Sequence, residues 1–387
     1  MHQTDIRYTK LRWLLTLVGL LLYIVDIWTD VGLSIKYLLD GRYICSALIF
    51  SFILAGLLVT QIFSHAWYED DLEDALVNPR GQSTVLGMSK GKLVVFHLCG
   101  AGIFTRYYHL LKSGFKVLWL LGGSLNEEER KEAHHRLFCQ ATDLSMLKLF
   151  EAFLESAPQL LVQIYIVQDQ GEASVVQYFS MVFSCCNIAW ALVDYRRCLR
   201  RSLPNIQEMP SGSPTAIYLL YKLFTFSSHI LSFSLLLLLT PYCVIALVAI
   251  LWLLGTMWSH VLRTNFCSTK MHEMVYRVVV GFILTFTFFN VKGQDTRIVM
   301  TIYYSLYLLI NVTSPLLLAF LKPEVRTATS FLVISGVIFA CSVLGLVFLV
   351  LFYLHLHPKA KRREADEVDG IAKQTEATGR MNNFLRP

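Results

Sequence analysis

The stretch FLVISGVIFACSVLGLVFLVLFY, Phe331 to Tyr353, runs for 23 residues without a charge. As a helix rising 1.5 Å per residue it reaches across the ~30 Å hydrocarbon core of a bilayer. It has no alternation of apolar and polar positions, so it is not a strand of an outer-membrane barrel. It is also not isolated. Apolar segments recur at about 14–37, 43–66, 93–121, 141–167, 175–197, 215–239, 242–262, 274–291, 298–320 and 328–356. Over the whole 387-residue chain 55% of residues are hydrophobic and 16% charged, against ~25% charged in an ordinary soluble domain. A soluble enzyme is excluded, and the fold class is an all-α polytopic membrane protein.

The formal charge of +6 does not point to nucleic acid, because the basic residues form short clusters beside the apolar runs, as at cytoplasmic membrane faces. The nine cysteines include no C-x-x-C pair; Cys45, Cys99, Cys185, Cys186, Cys243 and Cys341 lie within apolar segments and read as small core residues. Arg7, Lys10 and Arg12 precede an apolar run that is too long for a signal-peptide core and lacks a small-residue cleavage site, so that run is taken as the first span.

Two segments differ from the others. Segment 93–121 is broken by Gly100, Gly102 and Gly114 and carries Arg106; segment 274–291 is short and carries Arg277. Both are expected to enter and leave by one face. With the N-terminus in the cytoplasm and these two treated as re-entrant, four basic clusters fall inside, as the positive-inside rule requires: Arg196 to Arg201, Arg263 to Lys270, Lys292 to Arg297, and Lys359 to Arg363. The expectation is therefore eight transmembrane helices plus two re-entrant segments. The re-entrant segment is third of five in each half, so the halves form two parallel pseudo-repeats, 1–203 and 215–356, joined by a Pro- and Ser-containing linker at 204–214. Residues 122–140 are expected as a solvated helical loop, and 357–387 as a polar cytoplasmic tail.

Charges inside the spans are the candidate functional residues, since each costs roughly 2.5–3.5 kcal/mol at the bilayer centre. Asp26 and Asp30 are four apart and share a helical face. The fourth segment carries Asp143, Lys148, Glu151 and Glu155, the last three on one face. Arg106, Lys222, His229 and Arg277 complete the set. Two readings stay open: the acids Asp26, Asp30, Glu151 and Glu155 pair with Arg106, Arg277, Lys148 or Lys222 to hold the helices together, or some of them line a hydrated path for polar cargo. Pro158 frees a backbone carbonyl near Glu155 and favours a kink there.

No phosphate-binding loop, H-E-x-x-H metal motif, voltage-sensor ladder or potassium filter is present, so neither ATP hydrolysis nor any other catalysis is expected, and no cofactor or metal. In the tail, Asp366-Glu367-Val368-Asp369-Gly370 has the Asp-x-x-Asp-small order of an executioner caspase site. Such a protease needs an extended, accessible strand, and a polar tail offers one. Cutting after Asp369 releases 370–387.

The motifs Tyr23-Ile-Val-Asp26-Ile-Trp-Thr-Asp30, Asp143 to Leu160 with Glu151, Glu155 and Pro158, Ile188 to Tyr195 with Asp194, and Phe288 to Gly293 resemble the XK-related proteins over nearly the whole chain. Together with Tyr276 to Leu284 and the tail site, they are most similar to the caspase-activated phospholipid scramblases of that family. The resemblance implies ATP-independent movement of phospholipids between leaflets, exposing phosphatidylserine on apoptotic cells as an engulfment signal. It implies a multi-pass plasma-membrane protein with cytoplasmic termini. Asp26, Asp30, Asp143, Glu151, Glu155 and Asp194 match the family's intramembrane acids, some of them steps for lipid headgroups. The chain departs at His229, where a related scramblase has Arg, so a basic headgroup contact there depends on pH. Partners implied are phospholipids, an executioner caspase and, for some relatives, a single-span immunoglobulin-type subunit. A solute transporter or channel, and a membrane adaptor that moves nothing, remain as alternatives.

Overall fold

The structure is a computed structural model that describes residues 8–73, 84–85, 88–120, 126–170, 175–202, 209, 212–289, 291, 297–325 and 328–356. Among these residues the chain is helical apart from connections and one two-residue antiparallel pairing, β1 (Thr84–Val85) with β2 (Met88–Ser89). The tail with Asp366 to Gly370, most of the 204–214 linker, and Asn290, Lys292 and Gly293 lie outside the described residues.

Six of the described helices are long and apolar enough to cross a membrane. They are α1 (Lys10–Leu39), α2 (Tyr43–Glu73), α8 (Ser213–Leu239), α9 (Pro241–Val261), α11 (Arg297–Leu321) and α12 (Thr329–Leu351), the last extended by a π-helical turn to Leu356. The fold is thus an all-α polytopic membrane protein. The expected fourth and fifth spans also form helices, but they are more polar. The fourth is α5 (Glu127–Glu151), a π-helical turn at Ala152–Ser156, then α6 (Ala157–Gln170); the fifth is α7 (Val175–Ser202). Pro158 follows the π turn, where its missing N–H cannot donate to the preceding turn. In the 122–140 stretch Asn126 to Glu129 are exposed, while from His134 onward α5 also buries Leu137, Phe138 and Cys139.

The two glycine-marked segments differ from one another. In the first, α3 (Lys90–Leu98) and α4 (Gly102–Phe115) are separated by a sharp break. Gly100 takes φ +78° there, and the Gly100 and Ala101 N–H groups bond back to His97 and Phe96, closing a Schellman turn that only a residue without Cβ enters easily. The Gln61 side chain clamps the break, its Oε1 accepting from Gly102 N at 2.7 Å and its Nε2 donating to Gly100 O at 3.2 Å. The second segment is one unbroken helix, α10 (Lys270–Phe286), capped by Thr269, whose Oγ1 accepts from His272 N. Its 17 residues reach about 25 Å, short of the hydrocarbon thickness.

Packing divides the described residues into two interleaved compact units, one of residues up to Glu151 with 194–202, the other of 152–193 with those from 209 onward. In the first, α1 and α2 join at Asp40-Gly41-Arg42, where Gly41 (φ +73°) makes a second Schellman turn, and the Ser46 hydroxyl donates to Ser34 O at 2.8 Å. In the second, α8 is the central helix, packed by α6, α11 and α12. Helices α9 and α10 approach closely, since a Cβ on Gly255 would stand 2.9 Å from Gly281 O. The outer faces of α1, α9, α11 and α12 are covered with exposed Leu, Ile, Val and Phe, the surface that lipid requires.

Candidate functional site

In the first unit the buried charges form three sets. Arg106, on α4, is 4% exposed and donates from Nη1 to Asp143 Oδ2 at 3.0 Å and Asp71 Oδ2 at 3.2 Å, while Nη2 donates to Ser64 O at 3.0 Å. Its guanidinium carbon stands 3.6 Å from the Tyr68 ring centroid, and the Tyr68 hydroxyl bonds His109 Nδ1 at 2.7 Å. One cation thus serves two carboxylates and one aromatic face, an arrangement suited to the planar guanidinium. His97 lies beside it, bonded to Leu93 O and Ser64.

The second set is Lys148 and Glu151, a hydrogen-bonded ion pair on α5, with the Lys148 ammonium 4.5 Å from the Tyr23 ring centroid and in the electrostatic field of Asp26. Asp26 is half-buried within two residues of the centre of the 30-residue α1, beside the lipid-type residues Val25, Ile27 and Trp28. Asp30, one turn on, is buried.

The third set lies at the helix ends. Arg12 donates to Cys198 Sγ at 2.8 Å, and Cys198 donates to Asp194 Oδ1 at 3.7 Å. Burial, and then the Asp194 charge, push the Cys198 thiol up to about 11, so it keeps the proton it donates. Tyr8 covers this end, with its N–H donating to His134 Nδ1 and its hydroxyl pushed up to about 12 by burial.

In the second unit Lys222 is 1% exposed. Its ammonium donates to Phe288 O at 2.5 Å and Tyr221 Oη at 3.1 Å and faces the rings of Tyr218 and Tyr221; the Tyr221 and Tyr304 hydroxyls bond each other. About two turns further along α8, His229 lies between Thr285 O (3.1 Å from Nε2) and the Asn311 amide (3.3 Å from Nδ1). Asn311 and Tyr307 continue to Ser342 of α12, and Tyr307 to Ser228. His229 is therefore engaged on both ring nitrogens inside the α8–α10–α11–α12 packing. Glu155 is buried as well.

Of the expected pairings, Lys148 with Glu151 is present. Arg106 pairs instead with Asp71 and Asp143, and Arg277 pairs with Glu273 at 3.4 Å while holding Thr264 and His260. Asp71 and Glu273 were absent from the sequence set because they lie beyond or at the edge of the apolar segments, where hydropathy does not single out a carboxylate. The Tyr218, Tyr221, Tyr304 and Tyr307 network was absent because tyrosine reads as an interfacial anchor. Its only sequence signal is the repetition of tyrosine around α8 and α11.

A polytopic all-α membrane protein with charge clusters buried between its helices is the class that fold and site define. The family model for "XK-related protein" matches residues 14–358, and the chain belongs to that family. It is 54% identical over 380 residues to XK-related protein 9 of Tetraodon nigroviridis, covering 98% of this chain and 99% of the relative. It is 30% identical over 366 residues to XK-related protein 8 of Gasterosteus aculeatus (93% and 87%) and 27% over 371 residues to XK-related protein 8 of Tetraodon nigroviridis (95% and 89%).

Proposed function

We propose that the chain is a caspase-activated, ATP-independent phospholipid scramblase that exposes phosphatidylserine on apoptotic cells. The observation that carries this reading is the position of Asp26: a carboxylate near mid-helix, half-buried at the lipid-type surface of α1 and within the field of the pair of half-buried Lys148 with buried Glu151. A zwitterionic or anionic headgroup leaving the interface meets acid and base there together, while its acyl chains stay against the apolar face of α1. Arg106 with Asp71 and Asp143 then holds α2, α4 and α5 together, and Asp30 and Asp194 extend the polar surface.

The sequence carries no nucleotide-binding motif, which favours passive, bidirectional movement over pumping, and the protein is not an enzyme in this reading. It resides in the plasma membrane with both termini cytoplasmic and its two halves arranged as parallel repeats. Its partners are phospholipids and an executioner caspase acting at Asp369. Replacing Asp369 with Ala in cells that depend on this chain tests the caspase step. Phosphatidylserine retained inside during apoptosis supports it; exposure at the wild-type rate removes it.

A further inference from the structure

An aromatic and basic cluster where α1 begins and α4 ends takes no part in the site above. Trp13 donates from Nε1 to Leu111 O at 2.8 Å, and its ring lies 6.3 Å from that of Phe115 and, edge-on, 5.2 Å from that of Trp119. Phe115 and Trp119 stack at 5.1 Å, the second of them on the π-helical turn Lys116–Leu120 that prolongs α4. The close approach is built into the backbone, since a Cβ on Gly114 would stand 2.8 Å from Trp13 Cδ1. Phe115 and Trp119 nevertheless stay exposed.

Three exposed lysines frame these rings. Lys10 Nζ stands 5.4 Å from the Trp119 ring centroid, and Lys112 Nζ 5.5 Å from that of the exposed Tyr108. Lys116, four residues after Lys112, shares its helical face. A π-face orients an ammonium without neutralising it, so the cluster presents positive charge beside indole. Leu11, Leu14 and Leu15 on the same end of α1 are exposed, which makes the surroundings a lipid boundary rather than a seat for a soluble partner. Amphipathic rings at such a boundary sit at headgroup level, and lysine stems lie along them with the charge outward. The rings suit any phospholipid; the cations add a preference for net negative headgroups.

We propose that this patch docks anionic phospholipid headgroups of the leaflet at the Lys10 end of α1, preferring phosphatidylserine to phosphatidylcholine. With the N-terminus cytoplasmic, as in the reading above, that is the inner leaflet, where anionic lipid resides. Asp26 is 13 residues beyond Trp13 on α1, about 20 Å along the helix, so the patch is a separate site. Its use, gathering the lipid that the Asp26 site then takes up, rests on the scramblase reading; the docking itself does not, because no lipid need cross.

The test uses the full-length protein in nanodiscs and reads tryptophan quenching by lipid brominated near the top of its acyl chains. The part due to Trp119 is the wild-type signal minus that of Trp119→Phe, which keeps a ring against Phe115. At equal mole fraction, brominated phosphatidylserine is expected to quench Trp119 at least about twofold more than brominated phosphatidylcholine. Raising the salt should shrink this excess in the unmodified chain. Lys10→Gln/Lys112→Gln/Lys116→Gln should abolish it, and Lys10→Arg/Lys112→Arg/Lys116→Arg should keep it. Trp252, exposed on α9 and read through Trp252→Phe, should show no preference. Equal quenching of Trp119 by the two lipids overturns the proposal, as does an excess that survives high salt or the glutamine variant. An equal excess at Trp252 would mean enrichment around the whole chain and overturns it too. Should the glutamine variant not fold, the salt titration decides alone.

Discussion

Arg106 Nη1 stands 3.0 Å from Asp143 Oδ2, both side chains almost fully buried, joining α4 to α5 across 37 residues of sequence. Because Asp71 of α2 meets the same nitrogen, the guanidinium ties three helices at one junction. Removing it takes from two buried carboxylates a cation that both of them meet, which costs more than the intact network contributes.

Arg106→Met is therefore expected to destabilise the protein by about 3–5 kcal/mol, seen as a lower melting temperature in detergent and reduced surface expression. Adding Asp71→Asn and Asp143→Asn should recover much of the loss. If Arg106→Met alone melts like wild type, the junction is not structural.

The Gln61 clamp on the α3–α4 break makes a second case. Gln61→Leu keeps the volume but leaves Gly102 N–H and Gly100 C=O without this partner, at a cost of about 1–3 kcal/mol. Faster hydrogen exchange confined to 98–104 is the expected signature, and unchanged exchange there would refute it.

At the α9–α10 crossing, a Cβ on Gly281 would meet Thr256 Oγ1 at 2.2 Å and Thr256 N at 2.6 Å. Gly281→Ala should lower stability by about 1–3 kcal/mol through forced separation of the helices. Thr256→Ala should relieve only part of this, because the backbone contact stays. Full rescue by Thr256→Ala would mean that the hydroxyl alone sets the spacing.

For transport, Asp26→Asn preserves shape and removes the half-buried charge. Surface expression should persist while lipid movement slows about tenfold, equivalent to ~1.4 kcal/mol in the barrier. Normal expression with unchanged scrambling would remove Asp26 from the path.

Much of this arrangement was legible in the sequence, because a bilayer imposes strong rules. Apolar runs gave α1, α2, α8, α9, α11 and α12, the glycines gave the α3–α4 break, and i, i+3 spacing put Lys148 with Glu151. The less apolar α5–α6 and α7 were marked by the apolar runs 141–167 and 175–197, and the π turn before Pro158 needs three-dimensional packing to explain it. What stayed hidden was long-range choice of partner. Nothing local tells Arg106 to take Asp71 and Asp143 over Asp26, and nothing in a row of tyrosines reveals a cage for Lys222.

The most direct test of the central claim is dithionite quenching of fluorescent phospholipid in liposomes holding the purified protein, intact or cut after Asp369. The account predicts quenching beyond the outer-leaflet fraction in the cut sample, with no ATP added, and quenching limited to that fraction in the intact one. Quenching limited to the outer leaflet in both samples, from correctly inserted protein, would contradict it.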